Sequence, residues 1–409
     1  MLSKNDITIL RELAGRYQEC AQSPVHAEKR ALWLKLNTLN MERPMLLIDQ
    51  IPWNEMDVDG SLVCRVQDPY WRNVEESLRQ QIYKFTHMPA DIVLNPYISL
   101  PRPIHNSGWG IDTQVSRRII LENGATSSSS EYINQFESIE DVEKIQMPKL
   151  TLDVQREKQI REEADVIFDG IIPYRMQGLC MHLGLWDVIA QWMGVENCYF
   201  ALMDDPDMIH AMMEKMTQGV LGMIEQMNMQ QLFDVDSNLC HCSHTFLPDL
   251  PKADMPAVSE NAWSFGLAQL FTAVSPAITD EFEVAYMQRI FPHYGAIYYG
   301  CCDRLDDRMD VIRKLPNVRK LSCSPWSDRE HFAQVMPDTA VMSNKPNPAF
   351  LAGGTLDEAQ VRSDLRRTIE AARKYNRSLE LILKDISTVN HNPQCLWRWQ
   401  EIAMEEMCR

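Results

Sequence analysis

The sulfur and imidazole groups of this sequence gather in three short runs. These are Cys240-His241-Cys242-Ser243-His244, Tyr298-Tyr299-Gly300-Cys301-Cys302-Asp303 and Cys323-Ser324-Pro325-Trp326. Each run ends or follows a short apolar segment of strand character, which places its polar groups at the C-terminal end of a strand. His241, Cys301, Cys302 and Cys323 are therefore candidate ligands of a zinc ion. Thiolate and imidazole suit zinc, and three protein ligands with a free fourth position form a catalytic site. Cys301 and Cys302 are adjacent, so strand alternation points one inward and the other away. No second CxxC pair is present to complete a closed structural zinc pattern. The competing reading takes the same groups as buried thiols and a loop histidine.

Other strand ends carry further candidates. Asp385 follows an apolar segment and suits an acid, a base or a ligand; it equally suits a loop anchor. Lys345 and Asn347 lie in the rigid Lys345-Pro346-Asn347-Pro348 turn, where an anionic group could bind. Trp53, Tyr298, Tyr299 and Trp326 could wall a pocket for a flat or cationic ligand, with Asn54 a further substrate-binding candidate beside Trp53, although large aromatics also fill cores.

The elements that must position these groups alternate as strand and helix. Strands are expected at 45–49, 91–95, 168–174, 232–236, 296–300, 318–323, 340–343 and 380–384, and helices at 154–165, 185–192, 206–229, 277–291, 361–375 and 396–407. Asp204 and Asp205 before Pro206 suit a helix start, and Thr355 with Glu358 matches a capping box. Met208, Met212, Met216, Met223 and Met227 recur at helical spacing and are expected to face a core. The alternation predicts an α/β fold, a (β/α)8 TIM barrel over 41–409. An N-terminal helical extension, 1–40, is expected to pack outside it. A Pro-, Gly- and Ser-rich insertion, about 98–135, holds an inserted loop or hairpin. Disorder is expected only at Ser127 to Ser130.

Composition limits the partners. The 409 residues carry 40 Lys and Arg against 57 Asp and Glu, a formal charge of -17. That balance argues against a nucleic-acid surface and against docking on anionic membrane. No apolar run is long enough to span a bilayer, and the N-terminus lacks a signal-peptide core. The 11 cysteines, an odd number, fit free thiols in a reducing cytoplasm. No GxGxxG opens a helix and no GxxxxGK[ST] is present, so a nucleotide would lack its phosphate cradle.

Over roughly residues 150 to 409 the chain resembles the uroporphyrinogen decarboxylase superfamily. Val274-Ser275-Pro276 followed by Asp280-Glu281-Phe282 resembles that family's helix start, and 185–205 resembles an earlier segment. Tyr299-Gly300-Cys301-Cys302 falls where many members carry His-x-Cys-Gly. Ser343-Asn344-Lys345-Pro346-Asn347-Pro348, continued by Gly354-Thr355, falls at the Gly-Asn-x-x-Pro strand end. The resemblance implies the same barrel and one of two activities: decarboxylation of a tetrapyrrole without a cofactor, or zinc- and corrinoid-dependent methyl transfer. The Arg-Gln-Ala-Gly-Arg clamp of the decarboxylases is absent from the segment Arg43 to Glu55. The chain is thus more similar to the methyltransferase branch. Tyr299 takes the place of that branch's histidine, and Lys384-Asp385 the place of its later cysteine. This makes Tyr299 and Asp385 the candidate catalytic groups.

The expected function is transfer of a methyl group between a small methylated compound, a methoxylated aromatic or a methylamine, and a corrinoid. No Asp-x-His-x-x-Gly signature is present, so the corrinoid is expected on a partner protein. A homodimer is implied by the resemblance. The alternatives are decarboxylation of an acidic tetrapyrrole and a non-catalytic barrel that binds a ligand or a corrinoid partner.

Overall fold

The computed structural model describes residues 2–120, 128–235, 237–250 and 255–409. Its centre is a seven-stranded, wholly parallel sheet. In chain order the strands are β1 (Met45–Ile48), β2 (His182–Leu183), β3 (Trp263–Gly266), β4 (Ala296–Tyr299), β5 (Val318–Cys323), β6 (Val341–Asn344) and β7 (Leu379–Leu383). In space they run β1, β7, β6, β5, β4, β3, β2, so the first and last strands of the chain are neighbours. Leu379-Glu380-Leu381-Ile382-Leu383 is buried throughout, as befits a parallel strand covered on both faces. Helices cover the sheet, among them Pro206–Gln230, Glu358–Lys374 and Pro393–Met407, whereas Val154–Phe168 packs in a separate core with Lys4–Ala21 and Pro69–His87. The five methionines that recur along Pro206–Gln230 are all buried. No helix among the described residues is long and apolar enough to cross a membrane.

Three expected strands are corrected. Residues 91–95 form no ladder; Asp91 instead ties β1 by its side chain. It accepts from Leu46 N at 2.8 Å and from Arg43 at 2.7 and 2.9 Å. At 168–174 the preceding helix continues to Phe168, and the strand begins only at Tyr174, pairing Tyr174–Gln177 with Ile98–Pro101. The 232–236 segment contributes a single bridge, Leu179 to Phe233, and Asp236 lies outside the described residues. β3 is an addition. Ser264 and Gly266 break its apolar run, yet it sits between β2 and β4 in the sheet.

Smaller corrections follow local chemistry. The expected helix 277–291 is divided into Pro276–Thr279, a wide turn Asp280–Val284 and Ala285–Ile290. The Glu358–Lys374 helix is capped by Asp357, which accepts from Gln360 N at 3.0 Å, and not by Thr355. Ser128–Tyr132 is a strand paired antiparallel with Val115–Ile120, so disorder does not describe Ser128 to Ser130; Ser127 lies outside the described residues.

β1 and β2 are the two edges of the sheet. Between them lie the 91–95 segment and a small hairpin, Leu239–Cys240 with Ser243–His244. Single hydrogen bonds hold this region: Asp91 N to Leu46 O at 3.0 Å, Val93 N to His244 Nε2 at 3.0 Å and Asn238 Nδ2 to Val93 O at 2.8 Å. His244 completes its set by donating from Nδ1 to Asn238 O at 2.7 Å. Ser243 anchors the hairpin to the sheet. Its hydroxyl donates to Glu380 at 2.7 Å and accepts from Lys320 at 2.6 Å, and Lys320 pairs with Glu380 at 2.6 Å.

Candidate thiol and metal site

Two left-handed turns and the hairpin tip bring the site together. β4 ends at Tyr299, and Gly300 follows with φ 90°. A Cβ there would lie 2.8 Å from Leu305 Cδ1, so the tight turn that presents Cys301 and Cys302 needs glycine. β7 ends at Leu383, and Asp385 has φ 57°. The hairpin turn puts His241 at φ 52°, and Gln50 beyond β1 has φ 48°. Backbone strain of this kind at non-glycine residues collects at functional sites.

The sulfur of Cys301 lies 3.5 Å from that of Cys302, and Cys302 lies 3.2 Å from Asp385 Oδ2. Lys384 Nζ donates to Cys301 at 3.0 Å and pairs with Asp385 at 3.1 Å. It also stands 3.4 Å from His241 Nε2 and 3.4 Å from Gln50 Oε1. Among the described residues, Cys301, Cys302 and Asp385 form a three-donor group whose ligand atoms lie within 4.8 Å of one another. Exposure rises across the group from buried Cys301 to exposed Asp385, so one side faces solvent.

Charge is divided unevenly. Cys302 donates toward Cys301 and, with His241 and Lys384, holds the Cys301 thiol far below the usual thiol range despite burial. Cys302 is pushed far up by the same contact and by burial. It has one proton and two acceptors within reach, which is the local charge pattern that a cation in place of that proton would relieve. Burial alone would lower His241, but Cys242 and Cys301 outweigh it and raise His241 to about 9. Lys384 is raised as well, Cys301 and Cys242 overcoming its burial. The His241 ring stacks on Phe265 with centroids 3.9 Å apart.

A second polar layer lies beside this one. Tyr298 points inward, its hydroxyl 2.7 Å from Ser343 Oγ and 3.6 Å from Cys242 Sγ, and Lys345 Nζ donates to it. Burial opposes ionisation of Cys242, yet Lys345 and His241 lower it. Lys345 is thus spent on Tyr298 and on Ser343 at 2.7 Å, inside the fold and not in an exposed anion-binding turn.

The remaining candidates stand apart. Tyr299 points to the opposite face of the sheet and donates to the buried Glu283 at 3.2 Å. Cys323 is buried, pushed up to about 12, and receives Asn344 Nδ2 at 3.6 Å; it is not in the three-donor group. Trp326 is 69% exposed. Trp53 meets Tyr83 edge-on at 5.8 Å, and Asn54 is exposed. Asn347 caps the short Pro348–Leu351 turn by accepting from Ala349 N at 3.0 Å. The structure adds His182 and Lys384 to the site. The His182 ring lies 6.4 Å from that of His241, and burial lowers its pKa.

No protein-family model matches the chain, and no curated protein matches it. Among solved structures it is similar to a methyltransferase from Methanosarcina mazei, at TM-score 0.48 and 11% identity, over 91% of this chain and 98% of that chain.

Proposed function

We propose that the chain is a zinc-dependent methyltransferase that moves a methyl group between a small methylated compound and a corrinoid on a partner protein. The small compound is of methoxylated-aromatic or methylamine type. The observation that carries this reading is the Cys301, Cys302 and Asp385 donor group, with its solvent-facing side. Two thiols and a carboxylate fit a zinc ion, and an open side leaves room for a substrate atom. The sequence resemblance to the corrinoid-dependent branch supports the same choice.

Cys301, Cys302 and Asp385 would hold the ion, with His241 behind them. Zinc bound there supplies Lewis acidity toward the heteroatom that bears the methyl group. Lys384 keeps Cys301 anionic through its 3.0 Å hydrogen bond and so readies a ligand. His241 stands 3.4 Å from Lys384 beside Cys301, where its imidazole could protonate a departing oxygen or nitrogen. Phe265 fixes the imidazole plane. The sheet is read as the wall of a (β/α)8 barrel, with 1–40 outside and about 98–135 inserted, so that these groups share its mouth.

Elemental analysis of the purified protein should give near-stoichiometric zinc. Chelation should abolish demethylation of a methoxylated arene or a methylamine assayed with methyl-free corrinoid protein. Metal-free protein that retains full turnover overturns the reading.

A further inference from the structure

The Cys301 and Cys302 contact joins sequence neighbours. A second sulfur–sulfur contact among the described residues joins distant segments: Cys180 Sγ lies 3.8 Å from Cys240 Sγ, across 60 positions of chain. Cys180 is exposed, and Cys240 is 2% exposed. Cys180 precedes β2, where its sulfur is also 3.5 Å from Trp263 O on β3. Cys240 closes the first strand of the hairpin, one residue before His241. Cys180 and Leu239 border a cleft of about 540 Å³, together with Asn73, Ser77 and Gln80 of the Pro69–His87 helix. A small oxidant entering that cleft meets Cys180 first and Cys240 directly behind it.

We infer that Cys180 and Cys240 form a reversible redox pair whose disulfide fastens the His241 hairpin to the β2 edge of the sheet. The oxidant is a peroxide. Cys180 gives up its thiol proton and attacks one peroxide oxygen, the O–O bond breaks, and the other oxygen takes that proton and leaves as water or an alcohol. This gives a sulfenic acid at Cys180. The Cys240 sulfur then attacks the Cys180 sulfur. The S–O bond breaks, and the hydroxyl leaves as water with the Cys240 proton. The two sulfurs lose two electrons, and the peroxide gains them. The sulfurs close from 3.8 Å to about 2 Å, which draws the hairpin toward β2. Three features feel this movement. His241 is the next residue, its ring is stacked on Phe265, and its Nε2 is 3.4 Å from Lys384. The pair thus links the oxidation state of an exposed thiol to the geometry beside Cys301. The inference does not depend on methyl transfer, since both sulfurs lie outside the three-donor group.

The test uses the full chain, reduced, freed of reductant and exposed to hydrogen peroxide. Free thiols are then alkylated and the protein is digested for mass spectrometry. The expected product is a Cys180–Cys240 linked peptide pair, lighter by about 2 Da and released by dithiothreitol. In the same samples, the rate at which Cys301 is alkylated should change on oxidation in the wild type and stay constant in Cys180→Ser. Cys180 is a surface residue, so this variant keeps the fold, and the wild-type peptide map stands without it. Recovery of Cys240 as a free thiol while Cys180 carries only sulfinic acid or a mixed disulfide overturns the inference. So does a Cys301 rate that responds equally in Cys180→Ser.

Discussion

Lys384 Nζ is 3.0 Å from the Cys301 sulfur and buried beside it. A buried ammonium next to a thiol favours the thiolate, because neither charge has water to screen it. Lys384→Met keeps the stem and removes the charge. In chelator-treated protein the Cys301 pKa should therefore rise, and the pH midpoint of the Cys301 alkylation profile should move up by the same amount. An unchanged rate–pH profile shows that Lys384 does not set the charge. Replacement of Cys301 or Cys302 by Ser should reduce bound zinc severalfold, whereas Cys323→Ser should leave it unchanged, since Cys323 lies outside the donor group. Equal loss in all three variants means that the sulfur effect is structural. At this scale the sequence shows much, because residue type is itself chemistry: Cys301, Cys302, His241 and Asp385 all read as strand-end donors. Lys384 was legible only as the neighbour of Asp385 at a strand end, because its role depends on the Cys301 sulfur that the fold brings beside it. His182 was not legible, since it lies on a two-residue strand with almost no periodicity.

At the scale of elements, the hairpin depends on an uncharged His244. The ring accepts from Val93 N and donates to Asn238 O, and burial lowers its pKa to about 3. The unfolded chain, with an ordinary histidine near 6.5, binds the extra proton first as pH falls. The stability from this group is complete above about pH 6.5 and is lost between there and about pH 3, at up to about 1.4 kcal/mol per pH unit. His244→Gln keeps one donor and one acceptor without titrating. Urea unfolding from pH 7 to pH 4 should show a shallower acid loss in this variant, and parallel curves count against the assignment. Gly300→Ala tests the neighbouring turn. With φ 90° and Leu305 Cδ1 2.8 Å from the added Cβ, it should cost about 1–3 kcal/mol. β7, four of whose five residues are Leu or Ile, was legible, and β5 was legible from the apolar and sulfur residues at its ends despite Arg319 and Lys320. β3 and the 91–95 segment were not. A serine and a glycine interrupt β3, and 91–95 is apolar at its centre because it is buried, while several of its backbone bonds go to side chains and not to a strand ladder.

At the scale of the molecule, the sheet is strongly joined everywhere except between its edges. From β1 through β7 to β2, adjacent strands share ladders, and Lys320, Glu380 and Ser243 lock β5, β7 and the hairpin from inside. Removing one partner of such a buried pair leaves the other uncompensated, at about 3–5 kcal/mol. Between β1 and β2 the connection is made by the 91–95 segment and the hairpin through separate hydrogen bonds, several of them to side chains. Separate bonds break one at a time, whereas a ladder opens cooperatively. Native-state hydrogen exchange should therefore find the amides of β6 and β7 opening only with global unfolding. Amides at 91–95 and 239–246 should exchange through a smaller, local opening at the same pH. Lys320→Met should bring the hairpin amides closer to free exchange more than it affects 91–95, because the lost contact reaches Ser243 and not Val93. Uniform protection across both regions, or an identical effect of the variant on each, would mean that the gap is held as firmly as the sheet. The hairpin would then not be the movable part of the site.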